Sequence, residues 1–381
     1  MFPRVLTVTL VAVLLMVGTE GAARNTITLT DLAGRDVTVT VPVRSMILGE
    51  GRFLPSLAIL DREDPVRWVA GMMGDFKRFD PATYARYRAA FPAIDKIPLL
   101  GSTGPSSFSL ESALVAGPEV AVFSLGSVHG PGPRDKDIVE KLQAAGIPVL
   151  FIDFRIDPLA NTPRSVDLLA RLMGREERGR AFLAFYEREL QRVRDGLRDL
   201  SVRPSVFMEI RVGLRSGCCE AMGRQMMGRF IDWAGGRNHV GERIPGTHGM
   251  VSLEYLLANQ PDHYVGTAIG NAGAGRQRPG SIVLGTGADG VVARRSLAEA
   301  LRRPGLQQLE AVREGRAFAI WHHFYNTPLN VVAVQALAKQ LHPGRFQDLS
   351  PRATLATFFE RYQPFPVDGT YWTGLQEPPG Q

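Results

Sequence analysis

One stretch occurs twice, without a gap, in the two halves of the chain. Ser109-Leu110-Glu111 opens a segment that runs through Leu114 to Pro118-Glu119 and Val122. Ser252-Leu253-Glu254 opens another that runs through Leu257 to Pro261-Asp262 and Val265. Each copy carries the same local instructions. The Ser is placed to cap a helix N-terminus, and the Glu falls in the first turn, where the helix dipole favours an acid. Leu residues then face a core, and Pro stops the helix just before a short apolar strand. Ordinary αβ units account for either copy alone. Two copies in separate halves, each with Glu at the same helix tip, imply a chain built as two similar α/β units.

The surrounding pattern agrees. Thr26–Thr30 and Asp36–Val41 alternate apolar and polar residues around Ala33-Gly34-Arg35, which predicts an opening β-hairpin. Short apolar runs at 45–48, 66–70, 119–123 and 148–152 alternate with helical segments at crossover spacing, so the sheet is expected to be mainly parallel. A second set follows: strands at 205–210 and 317–321, and helices at 222–234, 294–303, 328–341 and 354–362. Between the sets, helical periodicity breaks at Gly174 and resumes through Phe182, Phe185, Tyr186, Leu190, Val193 and Leu197, with Arg and Glu on the outer faces. The expected fold class is therefore α/β. Two lobes, 24–174 and 201–381, each hold a mainly parallel sheet flanked by helices, and one long rigid helix, 175–200, joins them.

Length and composition bound the rest. With 381 residues and 45% apolar content, the chain can bury two cores. The net charge of +6 comes from scattered arginines, with no basic run interleaved with aromatics, and this argues against nucleic acid. Arg4, an apolar run from Val5 to Val17 and Gly21-Ala22-Ala23 have the order of a secretory signal peptide, assigned to 1–23. The run is shorter than the roughly 20 residues a membrane span needs. The mature chain is thus expected to be exported and soluble. Its two cysteines, Cys218 and Cys219, are neighbours, so they are either two thiols or a strained vicinal bond, and the fold must rest on its apolar cores.

Chemical motifs are mostly absent. Gly285-Thr286-Gly287-Ala288-Asp289-Gly290 fits a dinucleotide fingerprint but lies late in the chain and reads as a loop. Phosphate-loop, nucleophile-elbow and zinc-helix patterns are missing, and the seven histidines are not spaced as a metal set. What remains is a group of loops at strand C-termini, where open α/β sheets bind ligands. They carry Arg52 and Phe53, Ser102, His129, Arg155 and Arg215, and the run His322-His323-Phe324-Tyr325 follows the last strand. Several arginines at one sheet edge suit an anionic ligand.

In this order and spacing the residues resemble the periplasmic substrate-binding proteins of ABC importers for ferric siderophores, haem and cobalamin. The resemblance rests on Thr30-Asp31-Leu32-Ala33-Gly34-Arg35-Asp36, on Leu110-Glu111 with Pro118-Glu119, and on Leu253-Glu254 with Pro261-Asp262. It also rests on Ala234-Gly235-Gly236-Arg237-Asn238 and on the run Ala311–Ala317. It covers the mature chain. It implies a monomeric periplasmic carrier, not an enzyme, that takes its ligand between two lobes and hands it to a permease dimer with its ATPase. Glu111 and Glu254 would dock on permease arginines. Arg52, Phe53, Ser102, His129, Arg155, Arg215, His322, His323 and Tyr325 would contact the ligand. The arginines favour an anionic ferric siderophore, with no cofactor and no metal site of the protein's own. Haem is the alternative, since His129, His322, His323 or Tyr325 could supply an axial ligand. An exported enzyme on the same scaffold is the third reading. Few aromatics in the first-lobe loops beyond Phe53 and Phe76 count against cobalamin.

Overall fold

A computed structural model describes residues 24–126, 128–215, 217–270 and 280–375. The signal peptide assigned to 1–23 and most of the Gly-rich loop after 270 lie outside these residues.

The hairpin forms where alternation placed it: Asn25–Thr30 pairs antiparallel with Asp36–Val41. Its turn is fixed by Asp31, whose carboxylate accepts from the N–H of Ala33 at 2.9 Å and of Arg35 at 3.0 Å. Gly34, at φ 78, supplies the left-handed residue that the turn requires. The Phe151 N–H donates to the same carboxylate and ties the hairpin to the first sheet.

That sheet has four strands in the order Val69–Met72, Met46–Leu48, Val120–Ser124, Val149–Ile152, all parallel. Strand periodicity divides its side chains between two layers. Met46, Leu48, Val120, Val122, Leu150 and Ile152 face the larger apolar cluster, and Ile47, Ala121, Phe123, Val149 and Phe151 face a smaller one. Both faces are covered, so the strands are apolar throughout.

The second sheet has seven strands and is mixed. Ser205–Glu209, His263–Ala268 and Ala317–Trp321 form its parallel centre. Glu220–Met222, His248–Met250 and Trp372–Gly374 are added antiparallel at its edges. Glu220–Met222 corrects an expectation, because the sequence placed the start of a helix there. Helix begins only at Gly228. The reason lies further along the chain: the Asn238 side-chain amide donates to the carbonyls of Met222 and Gly223 at 3.1 and 2.9 Å, and so takes acceptors that a helix would use.

Between the sheets, the helix Pro158–Met173 ends on Gly174 in the left-handed conformation, and a 21-residue helix, Glu176–Gly196, follows. Its buried face is Phe182, Phe185, Tyr186, Leu190 and Val193. It packs on Leu54–Leu60 from the first half and Asn330–Leu341 from the second. Tyr186 Oη donates to Asn330 Oδ1 at 2.6 Å. The larger apolar cluster takes residues from both halves, so one continuous core crosses the junction. Among the described residues no helix is long and apolar enough to cross a membrane.

Both copies of the repeated stretch form the capped helix expected, but in the first Leu114 is exposed and Ala113 is the buried residue, whereas Leu256 is buried in the second. Ser109 caps the helix Leu110–Val115 by accepting from the Ser112 N–H, and Ser252 caps Leu253–Ala258 by accepting from the Tyr255 N–H. Glu111 and Glu254 stand exposed in the two first turns.

Candidate functional site: a cavity where the strand ends meet

The strand Met46–Leu48 runs into Gly49-Glu50-Gly51-Arg52, and glycine is needed at both of its positions here. A Cβ on Gly49 would lie 2.7 Å from the Phe123 ring, and one on Gly51 would lie 2.5 Å from the Met73 carbonyl. This close approach lets the Gly51 N–H donate to Asp75 Oδ1 at 2.6 Å and brings Arg52 under the strand ends.

Arg52 is buried, and its guanidinium is fully engaged. Nε donates to Asp75 Oδ2 at 2.9 Å, Nη1 to Tyr325 Oη and His323 Nδ1 at 3.0 Å each, and Nη2 approaches Glu50 Oε2 at 3.4 Å. Burial alone would lower the Arg52 pKa, but Tyr325, Asp75 and Glu50 reverse this and raise it. Glu50 has no exposed surface. It takes both oxygens' worth of Arg155, at 3.0 and 2.8 Å, and accepts from the Asn326 side-chain amide at 2.8 Å. Arg155 is set by the turn after Val149–Ile152, where Asp153 Oδ1 accepts from the N–H groups of Arg155 and Ile156, each at 2.8 Å. Its guanidinium lies 4.6 Å from the Tyr325 ring centre.

The second half contributes neutral groups. His323 Nε2 faces the Phe79 carbonyl at 3.0 Å and must donate to it, so Nδ1 is the acceptor for Arg52. Burial, with Arg52 and then Arg155 beside it, keeps the ring neutral and brings its pKa down to about 3. His322 is also held neutral, by burial and then by the neighbouring His323 and arginines. Its Nδ1 lies 2.9 Å from Thr267 Oγ1, and its Nε2 has no hydrogen-bond partner among the described residues. Burial pushes the Tyr325 hydroxyl up, but Arg155 and Arg52 outweigh it and leave the pKa below its ordinary value. Arg211, in the left-handed region at φ 52, donates its N–H to Thr267 Oγ1 at 2.8 Å and its side chain to Glu220.

These groups surround a cavity of about 470 Å³, within the range typical of small-molecule sites. Arg52, His129, Arg155, His322, His323 and Tyr325 line it together, as does an apolar wall that includes Ile156, Ile210, Met222, Met226 and Ile269. Three residues expected at the ligand lie elsewhere. Phe53 has no exposed surface and packs edge-on against Phe154 in the core, because it sits in a helical turn whose inner side is the apolar cluster. Ser102 is exposed and does not line the cavity. Arg215 points to solvent at 65% side-chain exposure, 3.7 Å from Glu220 and outside the lining. Sequence reasoning missed Arg78, Phe79, Arg211 and His248. Arg211 was within reach, since it directly follows the strand Ser205–Glu209 and Ile210, but sequence reasoning began the loop at Val212. Among the described residues no three His, Cys, Asp or Glu side chains converge as a metal-ligand set.

No protein-family model matches the sequence, and no curated protein is significantly similar to it. Solved structures are similar in fold. The TroA-like periplasmic binding protein FepB from Veillonella parvula superposes with a TM-score of 0.81 at 23% identity, covering 92% of this chain and 100% of that one. The molybdate periplasmic binding protein MolA of a Haemophilus influenzae ABC transporter gives 0.67 at 16% identity, over 90% and 99%. A periplasmic heme binding protein from Pseudomonas aeruginosa gives 0.54 at 19% identity, over 79% and 93%. This chain therefore has the two-lobed α/β fold of the TroA-like periplasmic binding proteins of ABC transporters.

Proposed function

We propose that this chain is the periplasmic substrate-binding component of an ABC importer and that it carries an iron complex, an anionic ferric siderophore, to a permease dimer and its ATPase. The observation that carries this reading is the cavity itself. Loops that follow strands of both sheets contribute to it, and its lining combines arginines with apolar side chains. Arg78 stands exposed at its edge with no ion pair among the described residues, and Arg211 and His248 share Glu220. An anion entering there meets Arg78, whose charge no carboxylate among the described residues offsets. Glu111 and Glu254, one exposed acid per lobe at equivalent helix tips, are the proposed permease contacts, steering and orienting the complex more than holding it. Fold neighbours that are binding proteins support reading the cavity as a carrier's site and not an enzyme's.

Haem is the second reading. It draws on the Tyr325 hydroxyl, whose pKa two guanidinium groups lower, and on the open Nε2 of His322. Either could face a ferric centre.

Trp321, packed 5.2 Å from His323, makes intrinsic fluorescence a reporter. Quenching should be titrated with ferric catecholate, hydroxamate and carboxylate complexes, haem, cobalamin and molybdate. Saturable quenching by a ferric siderophore complex, with little by cobalamin or molybdate, is expected. Quenching by haem alone selects the second reading, and silence across the panel overturns both.

A further inference from the structure

We propose that Cys218 and Cys219 form a thiol–disulfide exchange site, reactive toward an external dithiol, whose state sets the cavity wall that Glu220 organises. The only two cysteines of the chain are bonded to each other. A bond between neighbours closes the smallest possible loop, so it removes almost no entropy from the unfolded chain and does little for stability. Its placement gives it another use. Gly217 is exposed and Cys218 half-buried, whereas Cys219 is fully buried in the core. Cys218 is the more accessible of the two, and Cys219 is sheltered.

Cys219 leads without a spacer into the edge strand Glu220–Met222, and its carbonyl accepts from the Val251 N–H at 3.0 Å. Glu220 holds Arg211 by a hydrogen bond and lies 3.6 Å from His248 Nε2. The adjacent strand pairs Met250 with Glu220 and His248 with Met222. Arg211, Met222 and His248 all line the cavity. A displacement at Cys219 therefore reaches three lining residues through one carboxylate and one strand pair.

The chemistry balances. A thiolate of the dithiol attacks Cys218 Sγ, the Cys218–Cys219 bond breaks, and Cys219 leaves as a thiolate that takes up a proton. The second thiolate of the reductant then attacks the mixed disulfide. The reductant becomes a disulfide, and Cys218 leaves as a thiol. Two electrons pass to the protein. The bond closes a covalent ring through the Cys218–Cys219 peptide, and opening it frees that peptide at the start of the edge strand.

The mature protein, oxidised and then treated with dithiothreitol under native conditions, should be alkylated and weighed, and its hydrogen exchange followed by mass spectrometry. Two thiols per chain should appear together with reductant and disappear with oxidised glutathione. Amides of 219–222 and 248–250 should exchange about tenfold faster in the reduced form, with the first sheet unchanged. Cys218→Ser, at the half-buried position, should exchange like the reduced protein whether or not reductant is present. A pair that never oxidises, a bond that native-state reductant leaves intact, or exchange unaltered by reduction would each overturn the proposal. None of these readouts depends on which ligand the cavity takes.

Discussion

The two lobes bring opposite chemistry to one cavity. The first supplies ions that largely satisfy one another: Arg52 between Asp75 and Glu50, and Arg155 on Glu50. The second supplies neutral donors and acceptors, His322, His323, Tyr325 and Asn326, on a single helical turn after the strand Ala317–Trp321. A buried ion is tolerable only when paired, so the first lobe's charges are fixed in place and largely spoken for. The neutral groups carry no charge that must be paired, and among the described residues His322 Nε2 has no hydrogen-bond partner. Under the proposed function, the first lobe builds the floor, while recognition falls to the second lobe and to Arg78.

The largest expected effect tests the floor. Glu50→Ala leaves Arg52 and Arg155 short of their carboxylate in a fully buried position and should cost about 3–5 kcal/mol in urea unfolding. A loss below about 1 kcal/mol would mean that the ions are not mutually dependent.

Next comes pH, where one buried group from each lobe should act with opposite sign. Burial raises Asp80 of the first lobe to about 6, from an ordinary 3.8. A carboxyl raised in the folded state gives stability that is full below its unfolded pKa and is lost as pH rises through the folded one. His323 of the second lobe is lowered to about 3, so its contribution is present above its unfolded pKa and is lost as pH falls. The two slopes oppose each other between about pH 4 and 6. Asp80→Asn keeps a side chain able to cap the helix Pro81–Ala90 and should remove only the first slope. Its stability relative to wild type should rise by on the order of 2–3 kcal/mol between pH 4 and pH 7, read from unfolding curves across that range. Parallel curves for the two proteins would contradict the contrast.

Tyr325→Phe removes one hydroxyl from the bridge to Arg52 and should cost about 1 kcal/mol of stability. Under the proposed function it should also weaken ligand quenching more than Ser102→Ala, which lies off the cavity. Equal effects would place recognition elsewhere. The smallest effect on folding belongs to Glu111→Ala with Glu254→Ala, within about 0.5 kcal/mol of wild type and with ligand affinity unchanged, while uptake by cells is lost. Undiminished uptake would remove the docking assignment from both lobes at once.

Much of the framework was legible because local rules governed it. The alternation of the hairpin, the Ser caps of both repeated helices, the stop at Gly174 and the apolar face from Phe182 to Val193 each depend on residues close in sequence. The edge strand Glu220–Met222 was misread because Asn238, 16 residues from Met222, claims its carbonyls. At the site, strand-end loops identified Arg52, Arg155 and the 322–325 run. Glu50 and Asp75 were passed over because nothing local distinguishes a buried acid that neutralises two arginines from a solvated one. Phe53 failed for the converse reason: in a loop that turns helical at once, the side chain beside a ligand-facing residue points inward.

The contacts under the cavity have a consequence for how a ligand arrives. Thr83 Oγ1 meets Thr286 Oγ1 at 2.7 Å, Tyr87 Oη donates to Gln363 at 2.7 Å, and Arg86 pairs with Asp368 at 2.8 Å. With Asn326 on Glu50, these fasten the two halves together from beneath. Swinging them apart would strand buried donors and a carboxylate, each at a cost of about 1–3 kcal/mol. Under the proposed function, capture would then proceed through a standing mouth and not by a closing jaw. The free and loaded proteins would have nearly the same outline, and little binding energy would be diverted into reshaping the receptor.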